Sequence, residues 1–457
     1  MIFAMKAGVK LPRVLTRFEA LSLVVSSVLG TSIFLVPSTV AGQVPFVAGI
    51  AAVWLAGGLF SLAGGLTYAE LGAMLPEAGG GYVYLEKAFG PLASFLFVWT
   101  DFLLVRAGGA AAISVGFAAY ASAALPALHG WSTEAREASI AIGLLLVLGL
   151  LNVLGTRLSG WVQVAGTIFK AGAVMLLIAL PWIVSGPRAS GALQPMWPAH
   201  WSWPVWQGML AAMVPVLWSY GGWDQLSHMA EEVRNPDKNL PLAFGLGLAL
   251  VACLYVGAAL AIQVVFPMQQ VVNSHAIGSD FFRALWGAPG VIVITAVVTF
   301  AGITAAHVAL MSGSRSCFAI ARGGLFPAFL ARVHPRFETP APAIGAITVW
   351  ACLLVAGNAL FRVGARPLYA VLISYVMVGL LLFTGLIFAA AIQLRRKHPE
   401  WRRPYRAWGY PATPVVSIVV TFFLLLTMLG TVPWEAGTAL AVILLGWPVY
   451  RQSRPRL

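Results

Sequence analysis

Apolar runs separated by short polar stretches recur along the whole chain. Twelve are long enough to cross a bilayer, at approximately 18–42, 47–74, 91–122, 138–156, 160–185, 205–230, 241–266, 284–316, 343–361, 367–394, 412–432 and 435–451. A helix needs about 20 mainly apolar residues to span a hydrocarbon core of roughly 30 Å. The alternation of an outer-membrane barrel is missing, since a run such as IAIGLLLVLGLLNVLG, residues 140–155, is apolar on every face. The pattern predicts an all-α integral membrane protein with about twelve transmembrane helices, multi-pass in the cell membrane.

Two runs carry an interruption. The first contains VLGTSIFLVP, with glycine and small polar residues at Gly30 to Ser32, and the sixth contains VLWSYGGWDQL, with a weak point from Ser219 to Gly222. They are the first helices of two consecutive five-helix sets, 18–185 and 205–394, and the odd spacing gives them opposite directions, as an inverted repeat requires. A Gly-Gly pair alone is usually a close-packing contact. Two breaks in corresponding helices, each flanked by polar side chains, point instead to a transport site at mid-membrane.

Backbone accounting gives the breaks a chemistry. Unpaired amides and carbonyls are too costly against lipid and occur only where protein or a water-filled cavity surrounds them. The half-helix after Gly30 presents the amides of Thr31, Ser32 and Ile33 at a positive dipole end, suited to a carboxylate. Carbonyls released near Val28 and from Trp218 through Ser219 to Gly221 suit an ammonium group. Together they would bind a zwitterion with both charges on one carbon, which is an amino acid.

Composition agrees: 60% of the residues are hydrophobic and 9% charged, with a mean hydropathy of +0.87, against roughly 25% charged in soluble domains. The net charge of +13 reports topology rather than a nucleic-acid partner. With both ends cytoplasmic, only Arg136, Arg188, Arg283, Arg362 and Arg366 fall outside, Arg106 and Lys170 lie within spans, and the remaining Lys and Arg lie inside. The cytoplasmic ends are then 1–17 and 452–457, and the last two helices occupy 412–451. Residues 1–19 are too polar and basic to hold a signal-peptide core. Cys253, Cys317 and Cys352 fall in or beside apolar runs and predict no disulfide.

At these residues the sequence resembles a family. GTSIFLVP is similar to the first-helix break of the amino acid–polyamine–organocation superfamily, and YGGWDQLSHMAEEVRNPDKNLPLA to the sixth-helix signature of its L-type amino acid transporter branch. TYAELGAMLPEAGGGYVYLEKAFG, SGSRSCFAIARGGLFPAFLARVHPRFETPAPAI and RPYRAWGYPATP extend the likeness over about residues 16 to 430, as a prokaryotic member would show it. The resemblance implies ten core helices in two inverted halves, two further helices and alternating access. By position, Thr31, Ser32 and Ile33 would hold the substrate carboxylate, and Val28, Trp218, Ser219 and Gly221 the amine, with Trp218 as the outer lid. Ser32 replaces a usual glycine, and Asp224 stands where neutral-substrate members often have asparagine. Mammalian relatives join a single-span partner through a cysteine after the third helix; the loop near 123–137 has none, so no disulfide-linked heavy subunit is expected.

Lys170 lies within the fifth span, a functional position by default. Sodium-independent superfamily members often place a lysine there, as a proton-coupling group or as a fixed charge in place of sodium. Asp101 and Arg106, five apart on the third helix, should point to roughly opposite sides and pair with other helices rather than each other. Glu70, Glu231 and Glu232, with Arg315 and Arg322, read as an inner gate or packing network. Trp197, Trp201, Trp203 and Trp206 read as an interfacial belt. His228, His275, His307 and His334 lack metal-ligand spacing, and neither a phosphate loop nor a hydrolytic motif is present.

The leading expectation is a secondary transporter of L-amino acids, neutral ones favoured, working by exchange or proton symport without a cofactor or metal. The alternative within the class is a cationic amino acid or polyamine carrier, motivated by Asp224. Outside it stand a non-transporting sensor or complex subunit, and an intramembrane enzyme, for which only Asp101, Asp224 and Lys170 offer candidates and no motif surrounds them.

Overall fold

Helices coincide with every predicted run. The computed structural model describes residues 11–122, 132–184, 193–274, 276–360 and 368–453. Lys6, Lys10, Arg188, His275, Arg362, Arg366, Arg454, Arg456 and residues 123–131 of the external loop lie outside the described residues. The first run is α1 (Arg17–Val28), a 3-10 turn at Ser32–Phe34 and α2 (Val36–Gln43). Next come α3 (Val47–Met74), the short α4 (Gly81–Phe89), and a third run made of α5 (Pro91–Thr100), a π-helical turn at Asp101–Arg106 and α6 (Ala107–Ser122). α7 (Thr133–Val153) and α8 (Thr156–Val184) complete the first five runs.

The sixth run is broken like the first, into α9 (Trp203–Ser219), α10 (Gln225–His228) and a 3-10 turn at Ala230–Glu232. It is followed by α11 (Pro236–Val265), α12 (Met268–Asn273), α13 (Ile277–Arg322), α14 (Ala341–Leu360), α15 (Leu368–Lys397), α16 (Ala412–Thr431) and α17 (Pro433–Ser453). α13 is two helices joined at Gly287, whose φ of +68 and ψ of −148 only glycine adopts readily. Among the described residues the only β pairing is a bridge between Leu15 and Val233.

Eight of these helices are individually long and apolar enough to cross a membrane. The two broken runs fall short because neither piece spans alone, and α14 and α17 do not qualify as single helices. Large apolar side chains such as Ile168, Ile183, Ile292 and Leu444 stand 69 to 72% exposed, as surfaces facing lipid do. Trp197, Trp201, Trp203 and Trp206 are exposed at the entry to α9, matching the predicted belt.

Among the described residues the apolar core has two large clusters and two small ones. One cluster joins α1, α3, α10 and α11, and another joins α6, α7, α13 and α14. Small residues set the contacts in the first: a Cβ on Gly65 would meet Leu248 at 2.3 Å, and one on Gly247 would meet Val24 at 2.9 Å. Without a hydrophobic force between helices in lipid, such close approach is what holds them together.

Candidate functional site

The two broken helices meet. Gly222, with a φ of +99, lies against the first break so closely that a Cβ there would stand 2.7 Å from the Ser27 carbonyl oxygen. The Tyr255 hydroxyl on α11 donates to Val28 O at 2.7 Å and reaches Ser219 O at 3.2 Å, tying one break to the other. A cavity of about 1630 Å³ opens beside this junction, lined by Val28, Gly30, Thr31, Ser32, Trp218, Ser219, Gly221 and Asp224. Of the sequence-predicted set, Ile33 is the exception: it is fully buried and outside the lining.

The cavity is one-sided. Its lining extends past Gln43 at the end of α2 and Phe117 on α6 to Glu137 on α7 and Glu435 on α17. At the opposite end, Arg315 donates to Glu232 at 2.7 Å and Arg322 to Glu231 at 2.7 and 2.9 Å, all buried or partly buried. The chain entering α1 is fastened to the same place. Leu11 N donates to Glu231 at 2.7 Å, Leu15 N to Glu232 O at 2.9 Å, and Arg234 N to Leu15 O at 2.8 Å. Burial alone would raise the Glu231 carboxyl, but the Arg322 fork and the Ala78 and Leu11 amides outweigh it and hold it below its usual range. Glu70 departs from the expected network: it binds Arg395, Arg403 at 3.6 Å and the Ala407 amide, a separate cluster.

The amides at the first break behave as anticipated. Among the described hydrogen bonds Thr31, Ser32 and Ile33 N donate to no protein acceptor, because the first amides of the 3-10 turn have no carbonyl behind them. The carbonyls do not: Val28 O accepts from both Gly30 N at 2.6 Å and Tyr255, and Trp218 O accepts from Gly221 N at 3.0 Å. A carbonyl oxygen has two lone pairs, so Ser219 keeps one, whereas Trp218 O also accepts from Tyr220 N, and an ammonium at Val28 or Trp218 must displace a donor.

Lys170 reaches the first break as expected. It is 2% exposed, and its Nζ donates to Ser26 O at 2.5 Å. Ser26 Oγ donates to Gln163 at 2.9 Å, whose Nε2 contacts His307 Nδ1 at 2.8 Å, so α1, α8 and α13 are joined beneath the break.

The expectation for Asp101 and Arg106 is overturned. Arg106 Nε donates to Asp101 Oδ1 at 3.0 Å. The five-residue spacing diverges on an α-helix, but Asp101–Arg106 is a π-helical turn, which brings i and i+5 onto one face. Arg106 Nη2 also donates to Asp224 at 2.5 Å, so the carboxylate singled out on the sixth helix is already paired.

Sequence reasoning missed Tyr255, which sits in an otherwise apolar run and gives no periodic signal, and Gly222, which the Gly-Gly pair announced without saying which glycine is indispensable. It also missed His228 and Ser316 beside Arg106.

A family model described as amino acid permease matches residues 15–447. The chain is 31% identical to the large neutral amino acids transporter small subunit 2 of Mus musculus over 451 residues, 97% of this chain and 81% of that protein. It is 30% identical to the Asc-type amino acid transporter 1 of Mus musculus over 439 residues, covering 94% and 79%. With the cystine/glutamate transporter of Homo sapiens it shares 27% over 463 residues, covering 97% and 85%. These relatives are transporters rather than enzymes, and the apolar helices place the chain in a membrane as a multi-pass protein. With broken helices facing each other across a cavity and a family match over nearly its full length, the chain belongs to the amino acid permease family.

Proposed function

We propose that the chain is a secondary transporter of neutral L-amino acids that works by alternating access. The cavity lined jointly by the two helix breaks carries the reading, because it sets free amides at Thr31 and Ser32 opposite carbonyls at Trp218 and Ser219. An amino acid fits with its carboxylate on the first break and its amine toward the sixth. Trp218 is the outer lid, and Gly30, Gly221 and Asp224 line the pocket. Lys170, on Ser26 O, is the candidate coupling group.

In this reading twelve helices cross the membrane with both ends cytoplasmic, 18–185 and 205–394 are the inverted halves, and 412–451 adds two helices. The cavity then faces outward, and the Glu231–Arg322 and Glu232–Arg315 pairs close the cytoplasmic side. Asp224 is paired with Arg106, so it is not a bare carboxylate in the cavity. A relative's name includes "small subunit", but with no cysteine between 123 and 137 this chain works without a disulfide-linked partner.

The test is uptake of radiolabelled L-amino acids into proteoliposomes holding only this chain, with and without internal substrate and an inward proton gradient. Uptake that needs internal substrate identifies exchange; accumulation into empty vesicles under the gradient identifies symport. No flux under any condition refutes the transporter reading in favour of a sensor or subunit.

A further inference from the structure

The charges around Asp224 do not balance. Asp101 and Asp224 share the single guanidinium of Arg106, two carboxylates to one cation, and both sit in the membrane-buried interior. The fourth member, His228, is 1% exposed and stands beside Arg106 and Asp224. Arg106 Nη2 stands 2.9 Å from His228 Nε2. A guanidinium only donates, so Nε2 accepts and the ring carries its proton on Nδ1. Nδ1–H then donates to Ser316 Oγ at 2.6 Å, and Ser316 donates to Asp101 Oδ2 at 2.9 Å. Every polar contact is satisfied, yet the histidine is neutral and the cluster holds one unbalanced negative charge.

Among the described residues nothing packed around the ring supplies the missing cation. Facing it or the same small cavity are Phe97 on α5, Tyr68 on α3, Asp101 and Arg106 on the π-helical turn, Asp224 beside α10, and Phe383 and Thr384 on α15. Cys317 on α13 lies near Asp101. Tyr68 and Cys317 are uncharged near neutral pH. Arg315 and Arg322 on α13 are committed to Glu232 and Glu231, Glu70 on α3 to Arg395, and the only charges of α1, Arg17 and Glu19, are in its first turn. Lys170 bonds Ser26 O on the far side of the first break. An unpaired buried charge is costly, so a proton or a bound cation has to neutralise this one.

We propose that His228 is a proton-binding site of the transport cycle, taking up one proton from solvent when the cavity binds a neutral amino acid. The ring has a place to put it. His228 Nε2 lies 3.8 Å from Asp224 Oδ2, so a proton arriving there turns Nε2 from acceptor to donor and breaks its contact with Arg106. The ring then pairs with Asp224, while Arg106 keeps Asp101. Two cations then face two carboxylates. Asp224 and Arg106 line the main cavity, which gives the proton its route. A substrate with a cationic side chain brings the missing charge itself and leaves His228 neutral. The site is separate from Lys170 and rests on the transport reading above.

The first experiment uses the wild-type chain in weakly buffered detergent with a pH indicator, so it does not depend on how a variant folds. Binding of leucine should take up about one proton per chain, and binding of lysine none. In proteoliposomes, KM for leucine should fall by up to about tenfold per pH unit on acidification through the range where the site titrates. His228→Asn, which can still accept from Arg106, should flatten that dependence. Leucine binding without proton uptake overturns the proposal, as does a His228→Asn protein with the wild-type pH profile. Absence of binding and flux for both amino acids would instead remove the transport reading itself.

Discussion

Replacing Gly222 with alanine puts the junction of the two broken helices to a quantitative test. The residue has a φ of +99, where an L side chain costs about 1–2 kcal/mol. The new Cβ would stand 2.7 Å from Ser27 O, about 0.6 Å inside the roughly 3.3 Å of a close C···O contact. The neighbour is a main-chain carbonyl, which cannot rotate away as a side chain can, so relief requires the two breaks to separate. Strain and separation together come to about 2–4 kcal/mol, a roughly 30- to 1000-fold loss of the intact site at tenfold per 1.4 kcal/mol. Gly221→Ala meets Trp218 O at 3.1 Å without a positive φ and should be milder, and Gly30→Ala has nothing nearer than 3.7 Å. Amino acid uptake at sub-saturating substrate should follow that order, with Gly222→Ala reduced at least about thirtyfold. Gly222→Ala uptake within about twofold of wild type, alongside a crippled Gly30→Ala, would refute the geometry.

Other consequences follow from single contacts. Tyr255→Phe removes the donor shared by Val28 O and Ser219 O, and should cost about 1–2 kcal/mol in thermal stability and about fivefold or more in uptake; unchanged uptake would show that the bridge is dispensable. Arg106→Met leaves two buried carboxylates without a cation, a loss of about 3–5 kcal/mol that Asp224→Asn added to it should partly restore in melting experiments; equal melting of the single and double variants would contradict the pairing. The Glu231 carboxyl is held below its ordinary value of 4.5, so the fastening of the chain at Leu11 is complete above that pH and lost as pH falls through the depressed folded value. Proteolytic cleavage before α1 should therefore rise on acidification below about pH 4.5 and be high at all pH values in Glu231→Gln; a wild-type cleavage profile in that variant would exclude the fastening.

Much of the helical pattern and the two helix breaks could be read from the residues alone. Long runs apolar on every face predict lipid-embedded helices, and glycine and small polar residues at corresponding points of the first and sixth runs mark breaks whose freed backbone groups need protein or water around them. Gly30, Thr31, Ser32, Trp218, Ser219, Gly221 and Asp224 were legible for that reason, and all of them line the cavity. Lys170 was legible because a lone lysine in lipid demands an explanation. What the tertiary structure decided was who meets whom. Asp101 and Arg106 pair because a π-helical turn replaces the α-helical one, a choice that no local spacing announces. Tyr255 bridges the breaks because α11 packs beside both, which sequence separation conceals. Asp224 reads as a bare carboxylate along the chain, but in space it is one of two sharing a single arginine, in a cluster with partners from two other segments of the fold. Local pattern is set by the cost of exposing backbone and charge to lipid, whereas pairing is set by which helices the packing brings together.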